Sequence, residues 1–228
     1  MSCAEGRFER LRQMRRRYGA GAVLQHLLDR FTQRVAALDV SRLLWLDAAA
    51  MVPAGPDEPF TFRFLNADEV RCFAADAENC LNAALADELV QHGNGKNCCF
   101  AALAGGRLAA YGWYALGAVD ARHCGGVGLS LPAGAAYFYN GFTRPEFRGR
   151  GLYVALMGRG LRALADGGVR HVLASVHWTN WAALRSCRRL GFTDLGYFAG
   201  IGRGRCRLVF PPRAAMRRGI EFRRSRNG

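Results

Sequence analysis

Apolar residues recur at two spacings along this chain, and the change of spacing marks its elements. Near the amino terminus Val23, Leu27, Phe31, Val35 and Leu38 follow helical spacing, with Arg30 and Arg34 off that stripe. Residues 5–38 are therefore predicted as helix, broken at Gly19-Ala20-Gly21. Arg42 to Leu46 reads as a short strand, and Pro53 to Pro59 reads as a linker by its proline, glycine and acidic content. Phe60 to Phe64 alternates with period two, as a strand does. Helices are predicted over 67–75, capped by Asn66 or Asp68, and over 78–91, where Leu81, Leu85 and Leu89 stand four apart. Cys98–Leu103 and Leu108–Leu116 form a hairpin pattern about Ala104-Gly105-Gly106-Arg107. The glycine-rich stretch 118–134 reads as a long loop bordering a substrate site, and Ala135 to Thr143 as the next strand.

That strand runs into Pro145-Glu146-Phe147-Arg148-Gly149-Arg150-Gly151-Leu152 and then a helix with Val154, Met157, Leu161 and Leu164 on one stripe. A strand feeding a glycine-rich turn and a helix start leaves backbone N–H groups free, at the positive end of a helix dipole. That is an anion site. Glycines let the backbone approach phosphate oxygens, and Arg148 and Arg150 add donors. A Walker loop needs Gly-Lys-Ser/Thr, whereas the only lysine, Lys96, precedes Asn97. A dinucleotide fingerprint needs a small residue where Val154 stands. Neither nucleotide pattern fits. Val169 to Val176 reads as a strand, followed by Asn180 as helix cap, Ala183, Cys187 and Leu190 as an inner face, and Gly191-Phe192 as the stop.

Composition narrows the class. The 228 residues suit one large domain, or an ordinary domain with an extension, and half of them are apolar, which excludes a disordered chain. The eight cysteines are scattered without a CxxC pair. Free thiols in a reducing cytoplasm and no structural metal are the expectation. The net charge of +14 is concentrated at the two ends: residues 1–20 carry six arginines and residues 203–228 carry nine. Such ends suit an anionic partner, either nucleic acid or an acidic membrane surface to which residues 5–38 could be apposed.

The segments PEFRGRGL and N-W-A-A-L-R-S-C-R-R-L-G-F, in this order and separation, resemble the two signature motifs of the GNAT superfamily of N-acyltransferases. The resemblance is strong over 135–192, extends over 60–210, and is absent from 1–55. It implies an α/β fold with a mixed, mostly antiparallel sheet, a central splayed parallel strand pair and helices on both faces. A helical basic extension (1–55) would precede the acyltransferase domain (60–210), and a basic tail (211–228) would follow it. It further implies transfer of an acetyl or other acyl group from coenzyme A to a primary amine, by direct attack in a ternary complex. By position, Gly141, Phe142 and Thr143 would meet the acyl carbonyl and pantetheine. Arg148, Gly149, Arg150, Gly151, Leu152 and Tyr153 would hold the pyrophosphate, and Asn180 would contact the pantetheine or the helix start. The family's proton-donating tyrosine corresponds by spacing to Cys187, a candidate acid, and His177 is the candidate base nearest its strand's carboxyl end. Tyr153 stands where the family has a small residue, a feature associated with amino-sugar and cell-envelope acceptors. The competing reading is a non-catalytic GNAT-like protein directed to tRNA or other nucleic acid through its basic termini.

Overall fold

The strand patterns assemble into a single large sheet. The computed structural model describes residues 3–36, 38–51, 59–91, 97–124, 126–202 and 208–224; the linker read at 53–59 lies almost wholly outside them. The helical start is two helices, α1 (Cys3–Tyr18) and α2 (Ala20–Ala36), parted at Gly19, whose φ of 87° breaks the helix where the glycines were expected to. The strand read at Arg42–Leu46 is longer, β1 (Leu38–Asp47).

After the linker come β2 (Phe60–Leu65) and α3 (Ala67–Ala74). Asn66 caps α3 by accepting from the Glu69 N–H at 2.9 Å, while the Glu69 carboxylate accepts from the Asn66 N–H at 3.0 Å. The helix expected over 78–91 is shorter, α4 (Ala84–Gln91), because a 3-10 turn at Ala77–Asn79 and the left-handed Cys80 interrupt it. The hairpin forms as β3 (Asn97–Ala104) and β4 (Arg107–Leu116). The stretch read as a loop at 118–134 contains β5 (Ala118–Val119) and β6 (Val127–Ser130). The remaining elements are β7 (Ala135–Thr143), α5 (Leu152–Ala165), β8 (His171–His177), α6 (Trp181–Leu190), β9 (Thr193–Ile201), β10 (Leu208–Phe210), α7 (Arg213–Met216) and β11 (Glu221–Arg224). The segment read as a tail thus supplies a short helix and a strand, and β11 pairs with β6.

The main sheet has the order β10-β9-β1-β8-β7-β4-β3-β2. Every neighbouring pair is antiparallel except β7 and β8. This is the mixed, mostly antiparallel sheet with one parallel pair that the resemblance implied, with helices on both faces. On one face Leu152, Leu156, Met157 and Leu161 of α5 and Leu184, Cys187 and Leu190 of α6 pack against Phe138, Val172 and Ala174. On the other, Val70, Leu85 and Ala86 of α3 and α4, together with the β5-β6-β11 sheet, cover Leu43, Trp113 and Leu173.

β1 comes from the segment read as an extension, yet it lies inside the sheet between β8 and β9. Its run Leu43–Leu46 is buried on both faces, and this is why it reads as a continuous apolar stretch rather than an alternating strand.

α2 is mounted contrary to its pattern. Ala22 and Asp29 on one face are buried, whereas Leu24, Leu27, Leu28 and Phe31 are exposed. Leu27 and Phe31 of the expected apolar stripe therefore face outward, while Val23 is half-buried and Leu38, read as the end of the helix, opens β1. The reason is a polar joint: Trp178 Nε1 donates to Asp29 Oδ1 at 2.6 Å, and Gln33 Nε2 donates to Asp29 Oδ2 at 3.2 Å. A buried carboxylate held by such donors fixes which face of the helix turns inward.

Candidate active site

β7 and β8 run side by side only from Ala135–Phe138 against His171–Ala174. Beyond those residues they diverge, and β7 stays with β4 alone as far as Thr143. A register irregularity opposite Gly112 coincides with Asn140, whose φ of 47° is the left-handed region that few non-glycine residues adopt. This bulge shifts the register by one residue, so that Phe142 and Thr143 stay paired with Tyr111 and Ala110 of β4 on a stretch of β7 that no longer pairs with β8. An opening between two parallel strands, floored by a helix, is the result.

The turn after β7 is pinned from below by Arg144, only 3% exposed. Its guanidinium donates to Asp76 Oδ2 at 2.9 Å, Asn79 Oδ1 at 2.8 Å and Glu146 Oε1 at 2.9 Å, and it also pairs with Glu78. The Glu78 N–H, and then the Arg144 guanidinium, hold the Asp76 carboxyl below the usual carboxylate range. Arg148 Nε donates to the Thr143 carbonyl at 3.0 Å, tying the turn to its strand.

Gly149 (φ 82°) and Gly151 (φ 76°) adopt conformations that only glycine takes without strain. With those angles, the N–H groups of residues 149–153 take no backbone partner among the described residues. They head α5, where the helix dipole adds positive potential.

These elements enclose a cleft of about 530 Å³. Its walls include Gly141, Phe142, Thr143, Arg148, Gly149, Gly151, Leu152, Tyr153 and Asn180, so nine of the ten residues singled out from the sequence for donor binding come together there. Arg150 is the exception: its guanidinium lies 5.9 Å from the centroid of the Phe147 ring. Tyr153 is half-buried and turns inward, its ring edge-on to Phe138 at 5.9 Å, and burial pushes its phenol upward. Asn180 caps α6, its side-chain oxygen accepting from the Ala183 N–H at 3.2 Å.

Neither candidate for proton transfer lines the cleft. Cys187 is fully buried beneath α6, and burial pushes its thiol up to about 12. His177 sits at the α2 joint, its Nε2 at 3.3 Å from Asp29 Oδ1 and its Nδ1 at 2.9 Å from Thr179 Oγ1.

Sequence reasoning missed two groups. One is Arg144, whose isolated position gave no periodic signal. The other is a set of residues on the far wall: Arg17 and Tyr18 from the end of α1, and Arg185, Ser186 and Arg189 from the outer face of α6. The arginines on α6 were visible as a polar stripe, but nothing local connected them to α1.

No family model matches the sequence, and no curated protein does. Solved structures match the fold. A GCN5-related N-acetyltransferase from Kribbella flavida superimposes with a TM-score of 0.52 at 14% identity, over 85% of this chain and 64% of that one. A GCN5-related glucosamine N-acetyltransferase region of a fungal multi-domain β-N-acetylglucosaminidase gives 0.52 at 15% identity, over 77% of this chain and 22% of that one. A tandem GNAT protein from the clavulanic acid biosynthesis pathway gives 0.50 at 18% identity, over 77% and 58%. The chain spans less than two thirds of the length of each. At these identities the likeness is one of architecture, and the architecture is that of the GNAT fold.

Proposed function

We propose that this protein is an N-acyltransferase that moves an acetyl or other acyl group from coenzyme A to a primary amine. The observation that carries the reading is the convergence of the β7/β8 opening with the unpartnered N–H groups of residues 149–153 in one cleft. The pyrophosphate would take those N–H groups and Arg148, as anions do at helix starts. The pantetheine would run along Gly141–Thr143, with Asn180 across from it. The thioester would then lie in the gap between the strands, where β7 N–H groups can bind the developing oxyanion. The amine nitrogen attacks the acyl carbonyl carbon and the carbon–sulfur bond breaks. The proton lost by nitrogen passes to solvent, and the leaving thiolate takes one up, so the exchange balances.

In this reading Cys187 packs beneath α6 and His177 holds α2, and neither moves the proton. Water can accept it, so a dedicated base is not required. An amino sugar is the first acceptor to test, since the fungal region sharing this fold is a glucosamine N-acetyltransferase.

Isothermal titration with acetyl-coenzyme A is expected to show micromolar binding that Gly151→Glu abolishes. Absence of binding to the intact protein would overturn the reading. Mass spectrometry of amine panels incubated with acetyl-coenzyme A then identifies the acceptor by its mass increase.

A second feature favours an acidic membrane surface as the partner of the basic termini over nucleic acid. Leu24 and Phe31 of α2 are 70% and 64% exposed and share one stripe with Leu27 and Leu28. Exposed arginines of α1, among them Arg12, Arg15 and Arg16, stand nearby in the chain. An apolar stripe beside arginines fits an anionic lipid interface, whereas nucleic acid offers nothing to cover it. Among the described residues no helix is long and apolar enough to cross a membrane. Flotation with phosphatidylglycerol vesicles should carry the protein upward, and Leu28→Asp with Phe31→Asp should leave it behind. Binding to nucleic acid that falls steeply with salt, with no flotation, would instead support the nucleic-acid reading.

A further inference from the structure

The donor cleft has more positive charge than a pyrophosphate needs. The turn supplies Arg148 and five free N–H groups on one wall. Arg17 of α1 and Arg185 and Arg189 of α6 line the same cleft, and no carboxylate is among the residues that line it. Among the described residues none of these three arginines is paired with an acid. Like charges facing one cleft repel one another unless an anion is placed among them.

Their placement is built rather than incidental. Tyr18 stacks on Trp181, with ring centroids 6.4 Å apart, and the Arg185 guanidinium lies 5.2 Å from the Tyr18 ring centroid. α1 is therefore seated on the first turn of α6. Its position depends on α2, which the Asp29–Trp178 bond clamps to the segment just ahead of α6. A helix pair with no counterpart in the GNAT motifs thus completes one wall of the cleft.

We infer that Arg17, Arg185 and Arg189 form a subsite for the 3′-phosphate on the ribose of coenzyme A. The amino-terminal helices then serve as part of the donor site. This rests on the reading of the cleft as a coenzyme A site. The pyrophosphate and the 3′-phosphate are separate anions on one nucleotide, and the cleft takes cations from two separate places in the fold, the turn after β7 and the α1–α6 junction. Arginine suits a phosphate monoester because its planar fork can donate twice to two oxygens. Tyr18 is a positioning residue, holding the Arg185 guanidinium by its ring face.

Full-length protein is to be titrated calorimetrically with coenzyme A and with 3′-dephospho-coenzyme A, which lacks only that phosphate. Coenzyme A should bind about tenfold or more tightly. Arg17→Ala combined with Arg185→Ala should reduce coenzyme A to the level of the dephospho form and leave the dephospho form unchanged. Arg189→Ala should repeat the effect more weakly. All three side chains are exposed, so the variants keep the fold, which circular dichroism checks. Equal binding of both ligands by the unsubstituted protein would overturn the subsite and leave the coenzyme A reading intact. Equal weakening of both ligands by the double variant would do the same. Failure of both ligands to bind would remove the coenzyme A reading, and the subsite with it.

Discussion

A methyl group added at Gly141 would stand 2.7 Å from Tyr153 Cε2 and 2.8 Å from Phe138 Cε1, closer than real contacts allow. The Tyr153 and Phe138 rings would have to shift, and Tyr153 lines the cleft together with Gly141. Gly141→Ala is accordingly expected to weaken acetyl-coenzyme A binding by about tenfold or more, with a smaller loss of stability of about 1–3 kcal/mol. Titration and thermal melting separate the two effects. Cys187 lies at the position of the family's tyrosine, and its spacing was legible in the sequence. So was its place on the inner face of α6, where it packs between Leu184 and Leu190 and away from the cleft. Cys187→Ala should cost about 1 kcal/mol of stability and leave kcat unchanged. A drop in kcat at unchanged stability would restore the thiol as the acid. The same burial predicts that Cys187 resists thiol reagents at about pH 8 in the native state, while exposed Cys72 and Cys80 react.

At the scale of elements, α5 shows how packing overrides propensity. Gly160 lies in its interior, where replacement by alanine ordinarily favours a helix by about 1 kcal/mol. Here an added Cβ would meet Tyr114 Cε2 at 2.8 Å, and the Tyr114 hydroxyl already donates to the Met157 carbonyl at 3.0 Å. Gly160→Ala should therefore destabilise the protein by about 1–3 kcal/mol, measured as a lower urea midpoint. An unchanged or higher midpoint would show that Tyr114 relaxes freely. α2 makes the opposite point. Its apolar period was plain in the sequence and its existence as a helix followed. The outward direction of Leu27 and Phe31 did not, because it is decided by a single buried carboxylate on α2 that meets the Trp178 indole just beyond β8.

The whole molecule carries a set of groups kept neutral by burial. Burial pushes the Cys187 thiol up to about 12 and also raises Cys99, Tyr111, Tyr114 and Tyr137 above their ordinary values. In the unfolded chain these thiols and phenols ionise at about 8.5 and 10 respectively. Below about pH 8 both states hold the protons and stability is indifferent to pH. As pH rises above about 9 the unfolded state releases protons that the folded state retains, so stability falls. Urea midpoints at about pH 8 and about pH 10.5 should show this decline; a flat or rising profile would count against burial of these groups.

Much of this molecule could be read along the chain. The capping box at Asn66, the β3–β4 hairpin, the RGRG turn heading α5 and the Asn180 cap all depend on neighbours a few residues away. Local hydrogen bonding and backbone sterics are enough to specify them. The same is true of the cleft residues from Gly141 to Tyr153, because a strand, a turn and a helix start are contiguous. Tertiary structure decided the rest. It placed β1 inside the sheet and paired β11 with β6. It drew His177 to Asp29, and brought Arg17 and Tyr18 across more than a hundred and sixty residues of chain to the Arg185 side of the cleft. Those outcomes depend on which surfaces meet, and a meeting of distant segments is set by burial and pairing that no local stretch of sequence contains.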